Sequence, residues 1–256
     1  MILEKFRLDD KVALVTGASA GLGAAIAVAL AEAGADIVAH GNSRAPDATC
    51  AAIKSAGRRG LAVRGDLGEK ETPQKLVAQA LAEFGRLDIL INNAGTIRRA
   101  PAVDYSEADW ATVIEVNLSS VFRLSQLAGR HMIERSDKTG GKIVNIASVL
   151  SFQGGLTVPA YAASKGGVAQ LTKALANEWA KLGVGVNAIA PGYMRTDNTA
   201  ALQKDETRNR QILERIPAGR WGEPSDLAGA AVFLSSAASD YLHGHILVVD
   251  GGWLGR

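Results

Sequence analysis

Short apolar runs recur along the chain, with longer stretches of helical periodicity between them. VALVT at 12–16, DIVAH at 36–40, LAVRG at 61–65, DILIN at 88–92, KIVNIAS at 142–148, VGVNAIA at 184–190 and HILVVD at 245–250 have the length and apolar content of strands. Helix-length patterns include 22–33, 71–84, 107–134, 159–182 and 224–237. Strands that alternate with helices of this size predict βαβ units and therefore a parallel sheet. ILIN and IVNIA lack strict apolar/polar alternation, as strands covered on both faces do. The expected fold is α/β: one doubly wound parallel sheet with helices on both faces, a single domain over 1–256. No repeat of solenoid period and no Pro/Gly/Ser linker divides it.

One stretch breaks the rhythm. Residues 193–220 are rich in polar and charged side chains, follow a Pro-Gly pair and end in the turn cluster IPAGRWGEP. They come after the C-terminal end of a strand, where open α/β sheets bind ligands. That position makes them a candidate lid rather than a solvated surface helix.

Length and composition agree with this picture. A chain of 256 residues suits one large core, and 47% apolar with 21% charged residues is globular rather than disordered. A net charge of +2 without a dense Lys/Arg block argues against nucleic acid as a partner. The lone Cys50 allows no internal disulfide framework and fits a reducing compartment. MILEKFRLDD meets charge by Glu4, unlike a signal peptide, and the apolar helical stretch 24–31 is too short for a membrane span. The expectation is a cytoplasmic protein with no membrane partner and no metal.

The first strand runs into TGASAGLG at 16–23 and then into an Ala-rich helix. Gly17 permits a sharp turn, and Gly21 and Gly23 keep side chains away from a closely approaching ligand. Ser19 and Leu22 lie in the same loop, and the helix N-terminus offers unpaired N–H groups to a pyrophosphate. A glycine loop between strand one and helix one is the context that marks a Rossmann-type dinucleotide site. Three residues separate its first two glycines, unlike GxGxxG. An acid about 20 residues further on would grip a ribose hydroxyl and repel a 2′-phosphate. HGNSR at 40–44 has none, and Asp36 lies too early in its strand. Arg44, with Asn42 and Ser43, is suited to accept a 2′-phosphate by charge-assisted bonds, although Arg44 also reads as an ordinary surface arginine. NADP, with tolerance of NAD, is the expected cofactor.

Tyr161 and Lys165 stand at i and i+4 on one helix face. Ser148 ends the strand KIVNIAS, and Asn117 interrupts the apolar helix VIEVNLSSVF. Each alone has an ordinary structural explanation; together they make a proton-transfer group. A phenol ionises near 10, and a neighbouring ammonium favours its phenolate and brings the pKa toward working pH. Ser148 is placed to hydrogen-bond a substrate oxygen where charge develops.

These features, with NNAG at 92–95 and PGYMRT at 191–196, make the whole chain resemble the short-chain dehydrogenase/reductase family. The resemblance implies hydride exchange between a nicotinamide cofactor and an alcohol or ketone. It implies a catalytic tetrad of Asn117, Ser148, Tyr161 and Lys165, with Asn117 distorting its helix to hold a relay water and Lys165 also bonding the nicotinamide ribose. It further implies adenine contacts from Asp66 and Leu67, a cofactor groove lined by Asn93, Ala94 and Gly95, and nicotinamide contacts from Pro191, Gly192 and Thr196.

Arg98, Arg99 and Arg195 fall in loops expected near the pocket, and Gln153 follows Ser148 closely. Guanidinium groups match carboxylates with paired hydrogen bonds, so Arg98, Gln153 and Arg195 are candidate substrate contacts. TIRRAP, IASVLSFQGG, NEWAK and DGGWLGR resemble the sugar-acid branch of the family, which implies a six-carbon aldonic acid as substrate. A 3-oxoacyl thioester reductase or a non-catalytic nucleotide sensor are the competing readings. By the same resemblance the assembly is a homotetramer built on 107–134, 159–182 and HILVVDGGW.

Overall fold

The computed structural model describes residues 1–135 and 137–256. Seven strands form one sheet in the order β3-β2-β1-β4-β5-β6-β7, and every neighbouring pair runs parallel. They are β1 (Val12–Val15), β2 (Asp36–Gly41), β3 (Gly60–Arg64), β4 (Ile89–Asn92), β5 (Gly141–Ile146), β6 (Val184–Pro191) and β7 (Ile246–Val249). The chain builds outward from β1 to β3, then crosses back to pair β4 with β1. The C-terminal edge beside this reversal is where a parallel sheet opens a crevice.

Side chains of each strand alternate between two cores. Ala13, Val15, Ile37, Ile89, Ile91 and Val144 pack on one face with Ile26 and Leu30 of α1 (Gly21–Glu32) and Leu234 of α9 (Ala228–Ser235). Val12, Leu14, Val38, Leu90 and Ile143 pack on the other. There they meet Leu76 of α3 (Thr72–Phe84), Leu124 of α5 (Ser120–Glu134) and Leu175 of α6 (Pro159–Trp179). The remaining helices are α2 (Asp47–Ser55), α4 (Glu107–Ile114), α7 (Ala200–Lys204) and α8 (Glu206–Arg215). Cys50 sits on α2, half-buried against the first core.

The expected helix over 107–134 is α4 and α5 joined through a π turn at Glu115–Ser119. Residues 193–220 fold into a short turn at Asp197–Thr199 followed by α7 and α8. They rest on a separate apolar cluster of Val149, Ile212, Ile216, Trp221 and Trp253. Asp205 caps α8 by accepting the Arg208 N–H at 3.0 Å.

At the opposite, N-terminal edge of the sheet, Asp88 is buried just before β4. It accepts from Arg86 and Arg135 at 2.7 Å each and from the Val12 N–H at 2.9 Å. Burial alone would raise its pKa, but the two guanidinium groups and the amide together hold it below the ordinary carboxylate value. Removing one partner of such a buried pair strands the others, at a cost of about 3–5 kcal/mol. Asp88→Asn is therefore expected to lower the urea midpoint at pH 7. The difference from the parent should shrink only as pH falls through the depressed native pKa, where the parent loses the same charge. Equal midpoints at neutral pH would show that the cluster adds nothing to stability.

Candidate active site

The glycine loop is built by the neighbours it touches. The Thr16 hydroxyl donates to the Ile91 carbonyl at 3.2 Å and accepts from the N–H groups of Asn93 and Ala94 at 3.0 Å each. The Asn93 amide donates to the carbonyls of Thr16 and Gly17 at 2.8 and 3.2 Å. These bonds tie β1 to β4 across the crevice. Gly17 has φ +66°, and a Cβ there would stand 2.9 Å from the Ala94 Cα. A Cβ on Gly23 would collide with the Gly17 carbonyl and the Asn93 amide. Under the loop, His40 is buried, which depresses its pKa and favours the neutral ring. Its Nδ1 accepts from the Gly17 N–H at 3.3 Å and its Nε2 lies 2.9 Å from the Gly65 carbonyl. Both bonds suit an Nε2-protonated tautomer.

A cleft of about 230 Å³ runs over this loop, lined by Gly17, Gly21, Leu22, Gly23, Asn93, Ala94, Gly95, Tyr161, Lys165 and Thr196. Of the residues expected at the cofactor, Ser19 and Asn93 act chiefly as braces, Ser19 donating to the Arg44 carbonyl at 2.6 Å. Asn42, Ser43, Arg44 and Asp66 are exposed and are not among the residues that line the cleft. The Leu67 side chain is core, 3% exposed, and does not line the cleft. Arg64, which sequence reading passed over, donates to the carbonyls of Asn42 and Ser43 at 3.2 and 2.9 Å and shapes that shelf. No motif signals it, because the contact joins the end of β3 to the loop after β2. Gly-rich turn, close backbone approach and free helix N-terminus fit a pyrophosphate.

The four expected catalytic side chains converge at the cleft's other end. Asn117 sits in the π turn, fully buried. Its Oδ1 accepts the Thr96 N–H at 2.8 Å, while Nδ2 donates to the Thr96 carbonyl at 2.9 Å and to the Ser164 hydroxyl at 3.2 Å. Ser148 follows β5, its hydroxyl accepting the Leu150 N–H at 3.1 Å. Tyr161 and Lys165 ride on α6, which a buried chain pins to the sheet: Asn92 donates to Asn145 at 2.8 Å and Asn145 to Thr172 at 2.9 Å.

The electrostatics differ from expectation in one respect. Burial pushes the Tyr161 phenol above its ordinary value, against the pull of hydrogen bonding with Ser148 and of the Arg99 charge. Lys165 does not supply the expected lowering. Its Nζ donates to the Ile146 carbonyl at 2.6 Å and stands 5.7 Å from the Tyr161 ring centre. Burial brings Lys165 itself down to about 8. Desolvation drives both groups toward their neutral forms.

A second cavity, about 420 Å³, adjoins the cleft and shares Tyr161 and Asn198 with it. Ser148, Gln153, Gly192, Tyr193, Arg99, Arg208, Gln211, Arg215 and Trp253 line it. Gln153 thus lies where expected. Arg98 and Arg195 do not. Arg98 pairs with Asp109 at 3.5 Å and Arg195 with Glu223 at 2.7 Å, outside the lining. Pro191 is buried at the end of β6, behind Gly192. Arg208 and Arg215 reach the cavity because α8 folds back over it, and spacing along the chain gave no sign of that. Among the described residues no cluster of His, Cys, Asp or Glu could hold a metal.

A sequence model of the family described as Enoyl-(Acyl carrier protein) reductase matches residues 17–254. The 2-dehydro-3-deoxy-D-gluconate 5-dehydrogenase of Escherichia coli is 54% identical over 256 residues, covering all of both chains. The gluconate 5-dehydrogenase of Gluconobacter oxydans is 42% identical over 96% of each chain. The crystal structure of a gluconate 5-dehydrogenase from Burkholderia cenocepacia, in complex with NADP and tartrate, superposes with a TM-score of 0.93 at 39% identity over the full length of both chains. Paired with the glycine loop and the Tyr161–Lys165 helix described above, these likenesses mean that the chain belongs to the short-chain dehydrogenase/reductase family.

Proposed function

We propose that the protein is an NADP-dependent oxidoreductase that interconverts a secondary alcohol and a ketone on a six-carbon sugar acid. The observation carrying this reading is the joint lining of one cavity by Ser148, Tyr161 and three arginines, with no Asp or Glu among its lining residues. An anionic, hydroxylated substrate suits such a wall. The same wall also carries Ile97, Leu150, Leu156, Val158 and Leu202, so it is the three arginines that favour an acid over an acyl thioester. Relatives named for 2-dehydro-3-deoxy-D-gluconate and gluconate point the same way.

Gly17, Gly21, Leu22 and Gly23 would hold the pyrophosphate, with Ser19 and Asn93 keeping the loop in shape. Asn42, Ser43 and Arg44 would meet the 2′-phosphate, Asp66 and Leu67 the adenine, and Ala94, Gly95, Pro191, Gly192 and Thr196 the nicotinamide half. A nicotinamide held by these residues would supply or accept the hydride. Tyr161 gives its hydroxyl proton to the substrate oxygen in reduction and takes it back in oxidation. Ser148 fixes that oxygen, and the protonated Lys165 adds positive charge beside the phenol. Asn117, braced by Thr96 and Ser164, holds the relay that renews the proton. Residues 193–220 act as a lid on a single domain spanning 1–256.

No helix of the described chain is long and apolar enough to cross a membrane. A cytoplasmic homotetramer is the assembly we propose. Trp110 on α4, Phe122 on α5 and Val248 on β7 are large apolar side chains left 41%, 43% and 37% exposed on the elements that would pair. Light scattering should return four times the chain mass; a monomer at working concentration would refute the assembly.

Assays with gluconate, 2-deoxygluconate and their keto derivatives, each with both coenzymes, should show turnover favouring NADP. Tyr161→Phe should cut kcat by about 10²–10⁴-fold while NADP still binds, and Arg44→Ala should narrow the NADP preference. Turnover of neutral polyols or thioesters alone, or full activity of the Phe variant, would sink the reading.

The Lys165 ammonium has its own signature. Titrating near 8, it loses charge as pH rises, so NADP affinity measured by calorimetry should weaken through that pH. Its native pKa lies below the ordinary 10.5, so the unfolded chain binds the extra proton between the two values. This group therefore makes the fold more stable as pH climbs from 8 to 10.5. A pH profile of NADP affinity that is unchanged in Lys165→Met would contradict the assignment.

A further inference from the structure

The arginines around the cavity divide into two sets. Arg98, Arg195, Arg210 and Arg220 each have a carboxylate partner, in Asp109, Glu223, Glu214 and Asp226 respectively. Arg99, Arg208 and Arg215 line the cavity, and no salt bridge to any of them occurs among the described residues. The three are not equivalent. Arg99 shares the cavity wall with Tyr161 and is the one of the three whose charge acts on that phenol. Arg208 donates from Nη1 to Gln211 at 2.8 Å. Arg215 lies with its guanidinium carbon 4.0 Å over the Trp253 ring and donates from Nη2 to Gln153 at 3.2 Å.

Stacking holds a guanidinium flat and leaves its edge open for a planar acceptor. Trp253 is itself fixed: it is 4% exposed, and its ring lies 4.6 Å from that of Tyr193, which in turn meets Trp221 edge-on at 5.6 Å. The Trp221 indole N–H donates to Asn209 of α8 at 2.7 Å, so the same aromatic group sets the position of the helix that carries Arg215. For a six-carbon acid turned over at C5, the carboxylate sits four bonds from the reacting carbon. It must be met by a group away from Tyr161.

We propose that Arg215, laid on Trp253 and tethered by Gln153, is the specificity-determining residue that binds the substrate carboxylate, and that Trp253 is its positioning residue. This rests on the sugar-acid reading above. Arg99 keeps to the reacting end, and Arg215 selects acids over neutral polyols.

The test compares the parent with Arg215→Met, Arg215→Lys, Trp253→Leu and Trp253→Phe, using NADP with gluconate and with the neutral six-carbon polyol glucitol. Arg215→Met should raise KM for gluconate by about 10–100-fold, the range expected of a lost charge-assisted pair, with kcat changed far less. Activity on glucitol and NADP affinity should stay as in the parent. Arg215→Lys keeps the charge but loses the flat fork, so it should fall between parent and Met variant. Trp253→Leu should raise KM in the same direction, and Trp253→Phe, which restores an aromatic face, should recover most of it. Melting temperatures identify any variant that is merely unfolded, and gluconate binding to the NADP complex by calorimetry gives an independent measure. A gluconate KM within twofold of the parent in Arg215→Met, or equal losses on both substrates, would overturn the proposal. A parent protein inactive on every sugar acid would instead overturn the earlier reading, before any variant is compared.

Discussion

Lys165 keeps its ammonium 2.6 Å from the Ile146 carbonyl on a side chain that is almost wholly withdrawn from water. That desolvation, more than attraction between Lys165 and Tyr161, sets the resting charge of both. The lysine falls to about 8 and the phenol rises. The familiar picture of a cation that ionises its neighbour is therefore incomplete for this protein. Burial makes the lysine easy to discharge, so any added negative group nearby strengthens its hold on the proton. A phosphorylated, hydroxyl-rich cofactor alongside would act in that sense, and the phenol would feel a firmer positive charge only then.

This arrangement depends on the way the sheet is built. β4 and β5 end together, their asparagines Asn92 and Asn145 paired side by side and joined to Thr172 on α6. α6 therefore cannot slide along the sheet without breaking buried hydrogen bonds, each costly in a dry interior. Tyr161 and Lys165 inherit that rigidity. On the other side of the crevice, the Thr16 hydroxyl and the Asn93 amide perform the same service for the glycine loop. Two polar braces, one on each wall, hold the cofactor cleft and the proton-transfer group in a common frame.

Much of this was legible in the sequence because it is local. Strand positions follow from short β-branched runs, the glycine loop from its place between β1 and α1, and the Tyr161–Lys165 pairing from helical spacing. The helix distortion at Asn117 takes the form of a π turn. What could not be read is how distant loops fold onto one another. Arg98 and Arg99 are adjacent, yet one pairs with Asp109 and the other lines the cavity. Arg195 looked equally well placed but is claimed by Glu223, 28 positions on. Arg208 and Arg215 carry no motif, and they meet Trp253 of DGGWLGR only because 193–220 packs on its own aromatic cluster. Ser19 and Asn93 show a subtler limit. They lie in cofactor motifs, but Ser19 spends its hydrogen bond on the Arg44 carbonyl and Asn93 on the carbonyls of the glycine loop.

The division of arginines between paired and unpaired has a physical logic. A guanidinium with a carboxylate partner at the surface has part of its charge offset already, although such an exposed pair is worth only about 0–1 kcal/mol. One without such a partner is hydrated until an anion arrives, so the exchange of water for a paired acceptor is all that binding requires. Arg98 and Arg195 pair with carboxylates outside the cavity lining, whereas Arg99, Arg208 and Arg215 line the cavity with no salt bridge among the described residues. The α8 helix has two sides: Ile212 and Ile216 bury it on the aromatic cluster, and Arg208 and Arg215 line the cavity. Because Trp253 belongs to both the cluster and the cavity lining, the packing of α8 and the shape of the cavity draw on the same side chain.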